Sequence, residues 1–254
     1  MAASGLLAAA CARAPRAPAP VAASGTVLLP PGYDASRAYP VVEILPATGS
    51  TAGTLLQMWL VRVGLNRLAA APPEQQLAAL TPYLFPDTGG LGRGCIFILV
   101  QGRGSSDDYR SAGAWSATIA RYERRVLADL RAVAASRRVD TTRMVVAGFS
   151  LGGDLAWALT LRNPRLFRGA IVMASRASYR PTPADAGTLA RRGVRIFMTM
   201  GDRDDLTRQR LAGAAAGTLE RWEVPHRLQV LPGAGHEPAP PDVFAAALAF
   251  VLAR

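Results

Sequence analysis

The chain has 254 residues, 50% of them hydrophobic and 19% charged. That composition supports one sizeable core and excludes a disordered or fibrous chain. The net charge is +11, but every basic residue is arginine and the arginines are scattered, with no basic run interleaved with aromatics; a nucleic-acid partner is not expected.

The N-terminus reads "MAASGLLAAACARAPRAPAPVAASG". A short apolar stretch, Leu6 to Ala10, ends in small residues directly before Cys11. A Pro/Ala-rich segment without apolar periodicity follows to Gly25 and reads as an extended linker. The arrangement is similar to a bacterial lipoprotein signal, although it lacks a positive n-region. It predicts a leader and linker over residues 1–25, a lipid anchor at Cys11 and a place in the cell envelope. The alternative is an alanine-rich tail on a cytoplasmic protein. No other stretch reaches the ~18 apolar residues of a membrane span. The other cysteine, Cys95, sits in a buried-strand run and suits a free thiol. No Cys/His cluster has metal-ligand spacing, so neither metal nor cofactor is expected.

"GTVLLPPGYDASRAYPVVEILPATGS" reads as strand, turn, strand, with Pro30-Pro31-Gly32 stopping the first run. Val41 to Leu45 is a short apolar run of the kind covered on both faces. Glu43 breaks it, and a buried carboxylate there needs a partner the sequence does not name. Residues 52–90 are helix-like in pieces, divided by prolines, and are expected to cover a pocket. Cys95 to Val100 is a second buried strand. "QGRGSSDDYRSAG" reads as a loop, and Ala117 to Arg138 as a helix with Ile119, Tyr122, Val126, Leu130 and Val133 on one side. Strands at 143–148, 170–174, 194–200 and 227–231 then alternate with helices at 150–162, about 206–221 and 241–253. Such alternation implies an α/β domain over residues 26–254, a mostly parallel sheet with helices on both faces and a small cap or none.

The chemistry concentrates at "MVVAGFSLGGDLAWAL". Gly148-Phe149-Ser150-Leu151-Gly152 joins a strand to a helix. A serine hydroxyl becomes a nucleophile only with a base to take its proton and donors to hold the oxyanion. A sharp strand-to-helix turn lifts the serine above the sheet edge, and its neighbours two positions away must then be small. The same turn aims the helix N-terminus, including the Leu151 N–H, at the reacting oxygen. The competing reading is a glycine-rich turn with a capping serine. The chain has two histidines. His226 opens a strand, whereas His236 follows that strand in a loop, where parallel sheets place their chemistry; His236 is the candidate base. Asp202, Asp204 and Asp205 share the loop after the preceding strand, and spacing does not choose among them.

With these segments in order, the chain resembles the α/β-hydrolase superfamily, and more narrowly its esterase D and polyhydroxyalkanoate-depolymerase-like serine esterases. "LLPPGYDASRAYPVVEIL" resembles their opening hairpin, "RRVDTTRMVVAGFSLGGDLAWALTLRNPRLFRGAIVMAS" their nucleophile segment, "VRIFMTMGDRDD" their acid loop and "LPGAGHE" their histidine loop. The resemblance implies the α/β-hydrolase fold and selects Asp204, three residues after the glycine, as the acid. It also places the second oxyanion donor at the Thr48 N–H. There the chain departs from the family, with Pro46-Ala47 where such esterases carry His-Gly. The implied function is hydrolysis of a small-molecule carboxylic ester through an acyl-enzyme on Ser150, Asp204 and His236. The rival readings are a peptidase or acyltransferase on the same residues, and a catalytically silent envelope binding protein. Pocket shape is expected from residues 52–90, the 101–115 loop and the 175–190 loop. Arg103, Arg110, Arg176 and Arg180 in the last two are candidates to meet an acidic substrate, the competing reading being that exposed loop arginines are usually just solvated.

Overall fold

The short apolar runs of the sequence become the strands of one sheet, and the longer amphipathic runs become helices. In chain order these are β1 (Thr26–Leu28), β2 (Tyr39–Leu45), α1 (Thr54–Arg62), α2 (Pro73–Leu84), β3 (Ile96–Leu99), α3 (Ala112–Ser136), β4 (Val139–Phe149), α4 (Leu151–Arg162), β5 (Gly169–Met173), α5 (Pro183–Arg192), β6 (Arg195–Gly201), α6 (Leu206–Arg221), β7 (His226–Leu231) and α7 (Pro241–Leu252). The computed structural model describes residues 23–86, 94–180 and 182–253, so the lipid anchor expected at Cys11, and residues 1–22 of the expected leader and linker, lie outside the described residues. Among these residues no helix is long and apolar enough to cross a membrane.

The sheet runs β1-β3-β2-β4-β5-β6-β7. From β3 to β7 every neighbouring pair is parallel; β1 alone is antiparallel. This is the mostly parallel sheet expected of an α/β-hydrolase. The expected opening hairpin is not one, because β1 pairs with β3, Thr26 opposite Leu99, and not with β2. Both edges of β2 are taken by parallel neighbours, β3 and β4, which leaves the outer edge of β3 for β1.

Helices cover both faces. Leu56, Trp59, Leu77, Leu80, Phe244 and Leu248 of α1, α2 and α7 pack on one face with Val42 and Ile44. Helices α3, α4, α5 and α6 pack on the other with Val41 and Leu45. Residues 52–86, the described part of the 52–90 segment, therefore do not form the pocket cover expected of them. Their apolar side chains are claimed by the core and by α7: the Trp59 ring lies 4.6 Å from Phe244, and Trp59 Nε1 donates to the Ala239 carbonyl at 2.8 Å. Helix α3 starts five residues earlier than its apolar spacing suggests. Ser111 caps it, its Oγ accepting the Ala114 N–H at 3.0 Å, so Gly113 falls in the first turn instead of a loop. Cys95 is a fully buried free thiol, as expected, and burial pushes it up to about 12.

Glu43 points toward the α3 face and is 0% exposed. Among the described residues neither of its carboxyl oxygens has a hydrogen-bond partner, and neither does Oδ2 of the equally buried Asp129. Burial first, and the Asp129 charge second, hold Glu43 well above the usual carboxylate range. The folded state keeps a proton that the unfolded chain releases above its ordinary carboxyl pKa. Stability from this group is full in acid and declines as pH rises, by about 1.4 kcal/mol per pH unit until the folded group ionises. Glu43→Gln should remove that slope. The melting temperature of the variant, relative to the parent, is expected to rise between pH 5 and pH 8; a constant difference would show that Glu43 is not the titrating group.

Candidate active site

Four parallel strands end at one edge of the sheet, and the loops leaving them carry the candidate residues. β4 delivers Ser150, β6 the three aspartates, β7 His236, and β2 the Ala47-Thr48 turn. Ser150 adopts φ 56° and ψ −117°, a conformation strained for any residue with a side chain. Its N–H is tied to the Met173 carbonyl at 2.9 Å. The turn is tight enough that a Cβ on Gly148 would lie 2.4 Å from the Gly152 backbone, and one on Gly152 2.6 Å from the Leu45 carbonyl oxygen. Both glycines are therefore required by contact, as the motif predicts. Leu151 is the first residue of α4, where the N–H has no intrahelical acceptor.

The three side chains proposed from the sequence meet. His236 Nε2 lies 2.9 Å from Ser150 Oγ, and His236 Nδ1 lies 2.8 Å from Asp204 Oδ2. A neutral imidazole satisfies both contacts in one way. Nδ1–H donates to the carboxylate, and the Nε2 lone pair accepts the hydroxyl proton. Asp204 is 7% exposed, and its Oδ1 accepts the Asp205 N–H at 2.7 Å. The Phe149 ring, 4.9 Å from the imidazole, backs the histidine.

The other two aspartates are spent elsewhere. Asp205 caps α6, accepting the Arg208 N–H at 3.1 Å, and Asp202 accepts the Gly233 N–H at 2.8 Å. His226 lies at the start of β7, with Nδ1 2.9 Å from the Val224 carbonyl oxygen, a strand-end contact away from the site.

Ser150 and His236 open into a cavity of about 420 Å³, lined also by Ala47, Thr48, Ser106, Tyr109, Phe149, Arg176 and Arg208. The 101–115 and 175–190 loops contribute to it as expected; residues 52–86 do not. Of the four arginines singled out in the sequence, Arg176 alone lines this cavity, and Arg208 joins it from α6. Thr48 is held by a parallel bridge to Gly104, with the Gly49 N–H donating to the Gly104 carbonyl at 2.9 Å. The described non-glycine residues with positive φ are Ser150, Ala174, Ala177 and Glu223. Ala47 therefore makes the turn after β2 with negative φ, and the Pro46-Ala47 replacement does not strain it.

Sequence reasoning missed Asp154. It is 0% exposed in the first turn of α4, on a helix buried almost all round. Its carboxylate accepts from the Tyr109 hydroxyl at 2.5 Å, the Ser175 hydroxyl at 2.6 Å and the Arg176 N–H at 2.8 Å. It thus fastens two cavity walls to the helix that carries Ser150. Burial, with the Asp154 carboxylate beside it, pushes the Tyr109 phenol far above its usual range, so it remains a donor committed to Asp154. The available signal was a lone acid inside "LGGDLAWALTL", a run otherwise apolar or small on every face.

A family model described as the dienelactone hydrolase family matches residues 79–242, a span that includes Ser150, Asp204 and His236. It does not name the narrower esterase D or polyhydroxyalkanoate-depolymerase-like group. No curated protein matches the chain. Among solved structures, a ferulic acid esterase from Anaeromyces mucronatus aligns at TM-score 0.62 and 14% identity, over 89% of this chain and 83% of its own. Esterase PE8 aligns at TM-score 0.55 and 19% identity, over 91% of this chain and 98% of its own. S-formylglutathione hydrolase (FrmB) from Staphylococcus aureus aligns at TM-score 0.52 and 13% identity, over 85% of this chain and 82% of its own. At these identities the structural likeness speaks for the fold, and the family match carries the assignment: the chain belongs to the dienelactone hydrolase family of the α/β-hydrolase superfamily and is a carboxylic ester hydrolase.

Proposed function

We propose that the chain hydrolyses small-molecule carboxylic esters through an acyl-enzyme on Ser150. The observation that carries this reading is the placement of His236 between Ser150 Oγ at 2.9 Å and Asp204 Oδ2 at 2.8 Å. Ser150 Oγ attacks the ester carbonyl while His236 Nε2 takes its proton. The carbonyl oxygen becomes an oxyanion, held by the N–H groups of Leu151 and Thr48. His236 returns the proton to the departing alcohol oxygen as the carbon–oxygen bond breaks. A water molecule, deprotonated by the same imidazole, then attacks the acyl carbon, releasing the acid and restoring the serine hydroxyl. Asp204 keeps Nδ1 protonated throughout and stabilises the imidazolium.

A fluorophosphonate probe tests this reading without a known substrate, because it phosphonylates only an activated serine. Intact mass and peptide mapping should find a single adduct, on Ser150. An unlabelled protein, the outcome expected of a silent scaffold, or an adduct on another serine would overturn the proposal.

A further inference from the structure

A second groove lies beside the candidate active site and shares a wall with it. It has a volume of about 430 Å³ and lies between α6 and the segment after β5, lined by Trp157, Tyr179, Trp222, Leu211, Ala214 and Arg176 among others. Arg176 also lines the cavity that holds Ser150 and His236. Arg176 is therefore common to the walls of the two spaces.

Arg176 is held in place at both its backbone and its guanidinium. The Arg176 N–H is held by Asp154, and its guanidinium lies 5.1 Å from the Tyr109 ring centroid. Tyr109 in turn is stacked on Trp115, with centroids 5.1 Å apart and planes at 24°, and is hydrogen-bonded to Asp154. Ala174 and Ala177, on either side, both hold φ 46°, and Ser175 Oγ accepts the Ala177 N–H at 2.9 Å. Strained backbone on both sides of the Ser175-Arg176 pair persists only where the surroundings over-determine it.

The groove has the chemistry of a ring-binding site. Trp157 Nε1 is satisfied by the Tyr179 carbonyl at 2.8 Å, so its indole brings no unpaired polar atom to the wall. Leu211, an apolar residue of the lining, remains 37% exposed. Arg180, also on the lining, offers a planar guanidinium group of the kind that stacks on aromatic faces.

We propose that this groove is the distal half of the substrate site and receives an aryl ring of the ester, connected to the reacting carbonyl past Arg176. The proposal rests on the ester-hydrolase reading above and adds where the non-reacting end of the substrate binds. Binding energy at a remote group is then available to orient the reacting carbonyl.

The test compares methyl acetate, which is too small to reach the groove, with methyl ω-phenylalkanoates and ω-phenylalkyl acetates of increasing chain length, followed by proton release. One phenyl ester, at the length that spans Arg176, should exceed methyl acetate in kcat/KM by about tenfold, the modest end of what burying one aromatic ring contributes. Ala214→Trp fills the groove from an exposed position of α6, and Leu211→Glu places a charge in it. Either change should lower the ratio of phenyl ester to methyl acetate by about tenfold, through KM, while fluorophosphonate labelling of Ser150 reports the state of the triad. A ratio unchanged in both variants, or no preference for any phenyl ester in the parent, overturns the subsite and leaves the ester-hydrolase reading intact. Failure to hydrolyse any ester together with an unlabelled Ser150 would instead remove that reading and this proposal with it.

Discussion

Ser150→Ala should lower kcat for 4-nitrophenyl acetate by about 10⁶, to the residual catalysis that binding and oxyanion donors supply without a nucleophile. The loss should be chemical and not structural. Among the described residues the only side-chain partner of Ser150 Oγ is His236 Nε2, and removal of the hydroxyl leaves the imidazole still anchored to Asp204. The φ of 56° is as unfavourable for alanine as for serine, so the variant inherits the strain of the parent and should melt at nearly the same temperature. His236→Ala should cost a comparable factor, and the double variant little more than either alone, because the two residues act as one unit. Measuring kcat for the three proteins beside their melting curves separates the cases. Ester hydrolysis that survived in a folded Ser150→Ala variant would place the nucleophile elsewhere.

What the sequence disclosed and what it withheld divide along the range of the interactions. The strand-turn-helix around Ser150 was legible because its cause is local: a strained serine needs small residues on both sides, and Gly148 and Gly152 stand where a Cβ would strike backbone. His236 was legible because strand order puts its loop at the correct sheet edge. The choice among Asp202, Asp204 and Asp205 was not legible from spacing and came only with the family resemblance. What separates them is non-local: Asp202 is committed to Gly233 and Asp205 to its own helix. Asp154 went unnoticed for the same reason, since its partners Tyr109 and Ser175 are brought to it by two other loops. The pairing of β1 with β3, and the capture of residues 52–84 by α7, depend on which surface is left free once the parallel strands have assembled. No pattern within either segment records that.

The commitment of each aspartate makes the second large effect specific. Asp204→Asn should reduce kcat by about 10⁴ at neutral pH, whereas Asp202→Asn and Asp205→Asn should change it by less than about tenfold. In the parent, both oxygens of Asp204 accept: Oδ1 from the Asp205 N–H at 2.7 Å and Oδ2 from His236 Nδ1 at 2.8 Å. An asparagine has one oxygen for these two donors. If that oxygen stays with the Asp205 N–H, the amide NH₂ faces the ring and Nδ1 must become the acceptor. The proton then sits on Nε2, pointing at Ser150, and the imidazole can no longer take the hydroxyl proton. Asparagine at position 205 still caps α6, since it is as good an N-cap residue as aspartate. Asparagine at position 202 still offers an oxygen to the Gly233 N–H. Steady-state rates for the three isosteric variants therefore test the assignment with little change in volume or fold. A collapse of activity in the Asp202 or Asp205 variant, with Asp204→Asn near parental, would mean that the carboxylate behind His236 in the working enzyme is not the one at position 204.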